Sequence, residues 1–256
     1  MTTTTLRARH RRLSLVALAI VVLGGLIWLN GNATADTLFV AAVAPALYIV
    51  WHFHHADKYK TESFLLLFGT FALGAVSAFI AAGLEVAIMP KATSGVTFII
   101  FLGAVAIIEE LAKFVSVRVL AYRSPHFDET MDGVIFGITA AMGFAAVENV
   151  GYVLQYGAAS ALFRAFVSVP AHAFFGAVMG YYLGEAKVRR NAWLAVLGLA
   201  IAMMLHWLFD SLDSISGAFG LILLPVFVWF VYFTIVKKEI ARAAASSALL
   251  HAPRQG

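Results

Sequence analysis

Glu109 and Glu110 stand side by side in GVTFIIFLGAVAIIEELAKFVSVRVL, the run from Gly95 to Leu120, which otherwise reads as membrane. A carboxylate at the centre of a bilayer costs at least about 2.5–3.5 kcal/mol, so two in succession point to chemistry. Other apolar segments carry Glu148, His172, His206 and Asp210. Carboxylates and imidazoles in a partly dry cavity suit two tasks. They can hold Zn²⁺ through nitrogen and oxygen ligands, or they can activate a water by general-base catalysis. On a helix, Lys113 is i+4 from Glu109 and i+3 from Glu110, so it is expected to neutralise one carboxylate and leave the other to act. His206 and Asp210 share one helix face at i,i+4. Phe144 and Glu148 do the same, with Asn149 and Tyr152 beside the carboxylate, and His172 follows Pro170. Other hydrolytic signatures are missing: the sequence has no HExxH, no cysteine, no GxGD and no GxSxG.

The elements that must position these groups are membrane helices. Of 256 residues, 62% are hydrophobic and 12% charged, against about 45–50% and about 25% in soluble domains. A spanning helix needs roughly 20 apolar residues. Eight candidate segments meet that description: 13–29, 37–51, 63–88, 95–121, 133–154, 161–183, 192–210 and 217–236. An open sheet leaves backbone groups unsatisfied in lipid, and the apolar runs are too long and unbroken for barrel strands. The expectation is an all-α, polytopic helix bundle with a basic tail at 1–12, one membrane domain at 13–236 and a second tail at 237–256. The catalytic core falls within about 95–212.

Charge sets the orientation. Arg7, Arg9, Arg11 and Arg12 precede the first segment, and Lys58 and Lys60 follow the second. Arg118 and Arg123 close the fourth, Lys187, Arg189 and Arg190 follow the sixth, and Lys237, Lys238 and Arg242 follow the eighth. The opposite loops hold only Lys91, with Arg164 just inside the sixth segment. The positive-inside rule therefore puts both termini in the cytoplasm. These clusters serve topology and anionic lipid rather than nucleic acid. With that orientation, Glu109 lies near mid-membrane and the other groups between there and the outer surface, so they can converge in one cavity open to the outside or to the outer leaflet. Arg164 and Glu185, near segment ends, are expected to snorkel or sit at the interface.

Several features take simpler readings. RARHRR followed by an apolar run and Ala33-Thr34-Ala35 resembles a secretory signal, but the run from Leu13 to Leu29 exceeds a usual signal core, and another span follows at once. The first segment is therefore expected to be retained. His52, His54 and His55 form a histidine-rich loop, expected to be solvated rather than metal-binding. Asp128, Glu129 and Asp132 after Pro125 look like a turn and an N-terminal cap. Gly133, Gly137 and Ala141, with Gly176, Gly180 and Gly184, recur at every fourth position and are expected to let two helices pack closely.

At this point the motifs resemble a known family. Glu109-Glu110-Leu-Ala-Lys113 is similar to an EExxK signature, Phe144-Ala-Ala-Val-Glu148 to FxxxE, and His206-Trp-Leu-Phe-Asp210 to HxxxD. DGVIFG from Asp132, ENVGY from Glu148 and PAHAFFGAVMGYYLG from Pro170 also fit. The family is that of the PrsW-type intramembrane proteases, distant relatives of the CAAX prenyl endopeptidases. The resemblance implies a multi-pass protease in the plasma membrane of a bacterium, cleaving a membrane-anchored protein such as an anti-sigma-like factor on the outer side. It implies that Glu109 or Glu110 activates water, that His206 with Asp210 and Glu148 would hold a metal or stabilise the oxyanion, with Glu148, His172, His206 and Asp210 the ligands if a metal such as Zn²⁺ is bound, and that Lys113, Phe144 and Asn149 support them. The CAAX relatives have His where this chain has Glu148 and Asn where it has Asp210, so their prenyl-cysteine substrate does not carry over. Two rival classes remain: a proton- or cation-coupled transporter, which would show inverted repeats not seen here, and a catalytically silent membrane scaffold.

Overall fold

The structure is a computed structural model that describes residues 35–55, 62–89 and 95–252. The segment expected at 13–29, the basic tail, the small-residue stretch at 33–34, and Lys58, Lys60 and Lys91 lie outside the described residues. Among the described residues every regular element is helical. The helices are α1 (Ala35–His54), α2 (Phe64–Ile88), α3 (Val96–Val119), α4 (Thr130–Tyr156), α5 (Ala158–Phe166), α6 (Ser168–Val188), α7 (Ala192–Ser216), α8 (Gly220–Val231) and α9 (Lys237–Leu250).

Four helical stretches are long and apolar enough to cross a membrane: Phe64–Ile88, Thr130–Tyr156, Ala159–Val188 and Ala192–Leu250, alongside the shorter apolar Leu38–His54. α3 has comparable length, 24 residues. It is less apolar because Glu109, Glu110, Lys113 and Arg118 all lie within it.

α4 forms the centre of the bundle, packed by α1, α2, α3, α5 and α6. Glycines make this possible. A methyl group placed on Gly133 would overlap the carbonyl oxygen of Gly180, and one on Gly137 would overlap that of Gly176. On another side of α4, Gly143 meets the carbonyl oxygen of Phe71 in α2, and Gly74 of α2 meets that of Ala140. The close helix approach expected from the four-residue spacing is present, and it extends to a second neighbour. Gly180→Val is expected to push α4 and α6 apart, at about 1–3 kcal/mol, and to reduce cleavage with stability. Gly83→Ala, where an added Cβ meets nothing within 4 Å, is the control. Equal thermal stability of the two variants would refute this packing.

The segment expected at 161–183 is two helical pieces. α5 ends at Val167, whose backbone (φ −123, ψ −65) leaves the helix, and α6 begins at Ser168. Pro170 fits in that first turn because its missing N–H has no partner to lose there. Gly217 (φ 51) separates α7 from α8. Residues 237–250, expected as part of a tail, form α9, which lies against α4 and α6 with Glu239, Ala243 and Ser247 buried at i,i+4 spacing. The cap expected before α4 is present: Asp132 Oδ2 accepts from the backbone N–H of Asp128 (2.8 Å) and of Glu129 (2.9 Å).

Candidate active site

Lys113 organises the buried polar groups. Its Nζ donates to Glu109 Oε2 at 3.2 Å, to Glu110 Oε1 at 2.8 Å and to His172 Nδ1 at 3.0 Å. An ammonium has three hydrogens and no acceptor, so all three are used. The ring of Phe144 lies 4.3 Å from the same nitrogen, which gives the FxxxE phenylalanine a role as a cation–π wall. The helix spacing that places both glutamates near Lys113 therefore holds. Its single positive charge is shared between the two carboxylates, at 3.2 Å from Glu109 and 2.8 Å from Glu110.

Glu110 is fully buried, and its Oε1 also lies 2.8 Å from His206 Nδ1. The other ring nitrogen, Nε2, faces Glu109 Oε2 at 3.7 Å and Asp210 Oδ2 at 3.5 Å. Both gaps exceed a good direct hydrogen bond. His172 sits edge-on to His206, ring centroids 5.3 Å apart. Because Lys113 needs a lone pair on His172 Nδ1, the neutral ring carries its hydrogen on Nε2. That atom lies 2.8 Å from Glu148 Oε2.

The sequence-predicted residues thus form one connected cluster from four helices: Glu109, Glu110 and Lys113 on α3, Phe144, Glu148 and Asn149 on α4, His172 on α6, and His206 and Asp210 on α7. Glu110, Lys113, His172 and His206 lie at its buried centre, while the side chains of Glu148 and Asp210 keep 22% and 21% of their surface exposed.

Two charged members were not anticipated. Arg164 is 7% exposed, with Nη2 2.9 Å from Glu148 Oε1 and the guanidinium 3.9 Å from the Tyr152 ring. It points inward and does not snorkel. Glu185, the other residue expected at an interface, accepts from Thr130 Oγ1 at 2.8 Å and pairs with Arg189. Glu85, in the last turn of α2, is half-buried within electrostatic reach of Glu109, Glu148, His206 and Lys113, and its Oε1 is buried without a hydrogen bond. The cost argument that singled out Glu109 and Glu110 also bears on Glu85 in AFIAAGLEVAI, with less force because it lies near the end of its span, and could have pointed to it.

Among the described residues, one group can bring three donor atoms within 4.8 Å of one another: Glu109, His172 and His206. Two imidazoles and a carboxylate fit the three protein ligands of a catalytic zinc. Lys113 already holds Glu109 and His172, so an ion and the ammonium would compete for the same donors. His52 and His55 are exposed at the end of α1 and belong to no such group.

A helical membrane bundle with a buried carboxylate–imidazole cluster is the arrangement that an intramembrane hydrolase needs to activate water, and one that a proton-coupled transporter would share. The profile of the PrsW family intramembrane metalloproteases matches residues 62–236. The chain is 29% identical over 207 residues to Protease PrsW of Bacillus subtilis (strain 168), covering 79% of this chain and 94% of that protein. It is 30% identical over 205 residues to Protease PrsW of Halalkalibacterium halodurans, covering 79% and 95%. For Protease PrsW of Oceanobacillus iheyensis the identity is 32% over 199 residues, covering 76% and 92%. No solved structure matches. The chain belongs to the PrsW family and is an intramembrane endopeptidase of a bacterial membrane.

Proposed function

We propose that this protease cleaves a membrane-anchored protein, such as an anti-sigma-like factor, near the outer juxtamembrane region. It would do so from the plasma membrane, as a protein of about eight spans with both termini in the cytoplasm. The observation that carries the site assignment is the four-helix cluster around Lys113 and Glu110.

Glu109 is the general base. It keeps 6% of its surface exposed where Glu110 keeps none, and its Oε2 and His206 Nε2, 3.7 Å apart, could hold one water to the side of the line between them. Glu110 anchors Lys113 and His206. His206, fixed through Nδ1, turns Nε2 towards the reacting carbonyl. The proton that Glu109 takes from the water is returned to the leaving amide nitrogen. When a divalent ion is bound, Glu109, His172 and His206 would hold it, and it would supply Lewis-acid polarisation and an acidified water.

The test is cleavage of a single-span substrate by purified enzyme, with metal analysis and a chelator series. Glu110→Gln and His206→Ala are each expected to abolish cleavage while the protein still accumulates in the membrane. Full activity in both variants would overturn the site. Loss on chelation with zinc-dependent recovery assigns water activation to the metal, and cleavage by demonstrably metal-free enzyme assigns it to Glu109.

A further inference from the structure

Arg164 lies on α5, nine residues long, packed among α1, α4 and α6. An arginine near a helix end can snorkel to water at little cost. Here it is buried instead, beside Asn149, Glu148 and Tyr152. Nε donates to Asn149 Oδ1, Nη2 faces Glu148 Oε1 at 2.9 Å, and the flat guanidinium lies over Tyr152. Asn149 is fixed in turn, since its Nδ2 donates to the carbonyl oxygen of Ala42 on α1 at 3.1 Å.

What Arg164 holds is the side chain that sets the state of His172. Glu148 has two oxygens: one faces Arg164 and the other faces His172 Nε2 at 2.8 Å. With Glu148 on Nε2, His172 keeps Nδ1 free of hydrogen and can accept from Lys113. Lys113 then reaches Glu109 and Glu110 with its remaining hydrogens. A continuous line of contacts therefore runs from α5 to the carboxylate pair. Without the guanidinium, Glu148 would be a largely buried carboxylate without its cation, free to swing away from His172.

We propose that Arg164 is a positioning residue of the protease, which holds Glu148 against His172 and through it orients Lys113. This rests on the site described above, so Glu110→Gln serves as the control for that reading. Using full-length enzyme in proteoliposomes and a single-span substrate, Arg164→Gln is expected to lower kcat by about 10–100-fold, as loss of an outer-shell partner does, with KM changed less than about twofold. Arg164→Lys keeps the charge but loses the Nε donor and the flat stack, and is expected to recover much of kcat. Because Arg164 acts through Glu148, the Arg164→Gln/Glu148→Gln double variant should be no slower than Glu148→Gln alone. Losses that multiply in the double variant, or full kcat in Arg164→Gln, would overturn the role. If Arg164→Gln fails to fold, Glu148→Gln and Arg164→Lys decide: kcat lowered about 10–100-fold in Glu148→Gln with most of it kept in Arg164→Lys supports the role, and full kcat in Glu148→Gln overturns it. A fully active Glu110→Gln enzyme would instead defeat the site assignment itself.

Discussion

Glu109→Gln is expected to lower kcat by at least about 10²–10⁴-fold, the usual contribution of a positioned general base. The amide is nearly isosteric with the carboxylate and can still accept from Lys113 Nζ, now 3.2 Å away. What it loses is the ability to take a proton from a water bound at Oε2. Thermal stability should therefore change little. Glu110→Gln should also be inactive, for a different reason. Its Oε1 is fully buried and serves both Lys113 and His206, so that variant should lose stability as well as rate. Cleavage measured alongside Tm separates the two roles, and a fully active Glu109→Gln enzyme would return the base to Glu110.

Lys113→Met should have the largest effect on stability. The substitution is similar in length but leaves Glu109, Glu110 and His172 without the only donor shared by all three. Breaking a buried ion pair by removing one partner costs about 3–5 kcal/mol. Part of that loss should be regained when Glu110→Gln is added, because the uncompensated charge is then removed. Cleavage should stay absent in both variants. Unfolding curves for the single and double variants read the difference, and an unchanged Tm for Lys113→Met would show that the carboxylates do not depend on it. Well-packed apolar residues in place of a whole buried ionic cluster are often neutral or stabilising. The cluster therefore makes sense as catalytic machinery that the fold tolerates, since stability alone does not require it.

The presence of helices was legible because each span is an apolar run of sufficient length, and the cap at Asp132 was legible from its acids. The break at Val167 was less so. The segment from 161 is apolar on both sides of it, and the signal was Pro170, whose ring would clash with the carbonyl of Phe166 in a continuous helix. Glu85 was less visible in the sequence than Glu109, because it lies near the end of its span, where a carboxylate costs less, and outside any paired motif. Arg164 looked interfacial because a cation near a span end ordinarily is; its inward orientation depends on Glu148 and Asn149 from a different helix.

Taken by itself, the sequence determined which side chains are too costly in an apolar environment to be there without a role. It also determined the pairs that one helix brings together, Glu109 with Lys113 and His206 with Asp210, because an i,i+4 relation follows from the helical repeat alone. Tertiary structure decided everything that crosses between helices. His172 meets Lys113 across 59 residues, and His206 meets Glu110 across 96. Which ring nitrogen faces which carboxylate, and which glutamate stays open to water, depend on how closely and at what rotation α3, α4, α6 and α7 pack. Between α4 and α6 that approach is set by backbone-to-backbone contact at Gly133, Gly137, Gly176 and Gly180, where the absent side chains allow the distance but only the assembled bundle fixes the register.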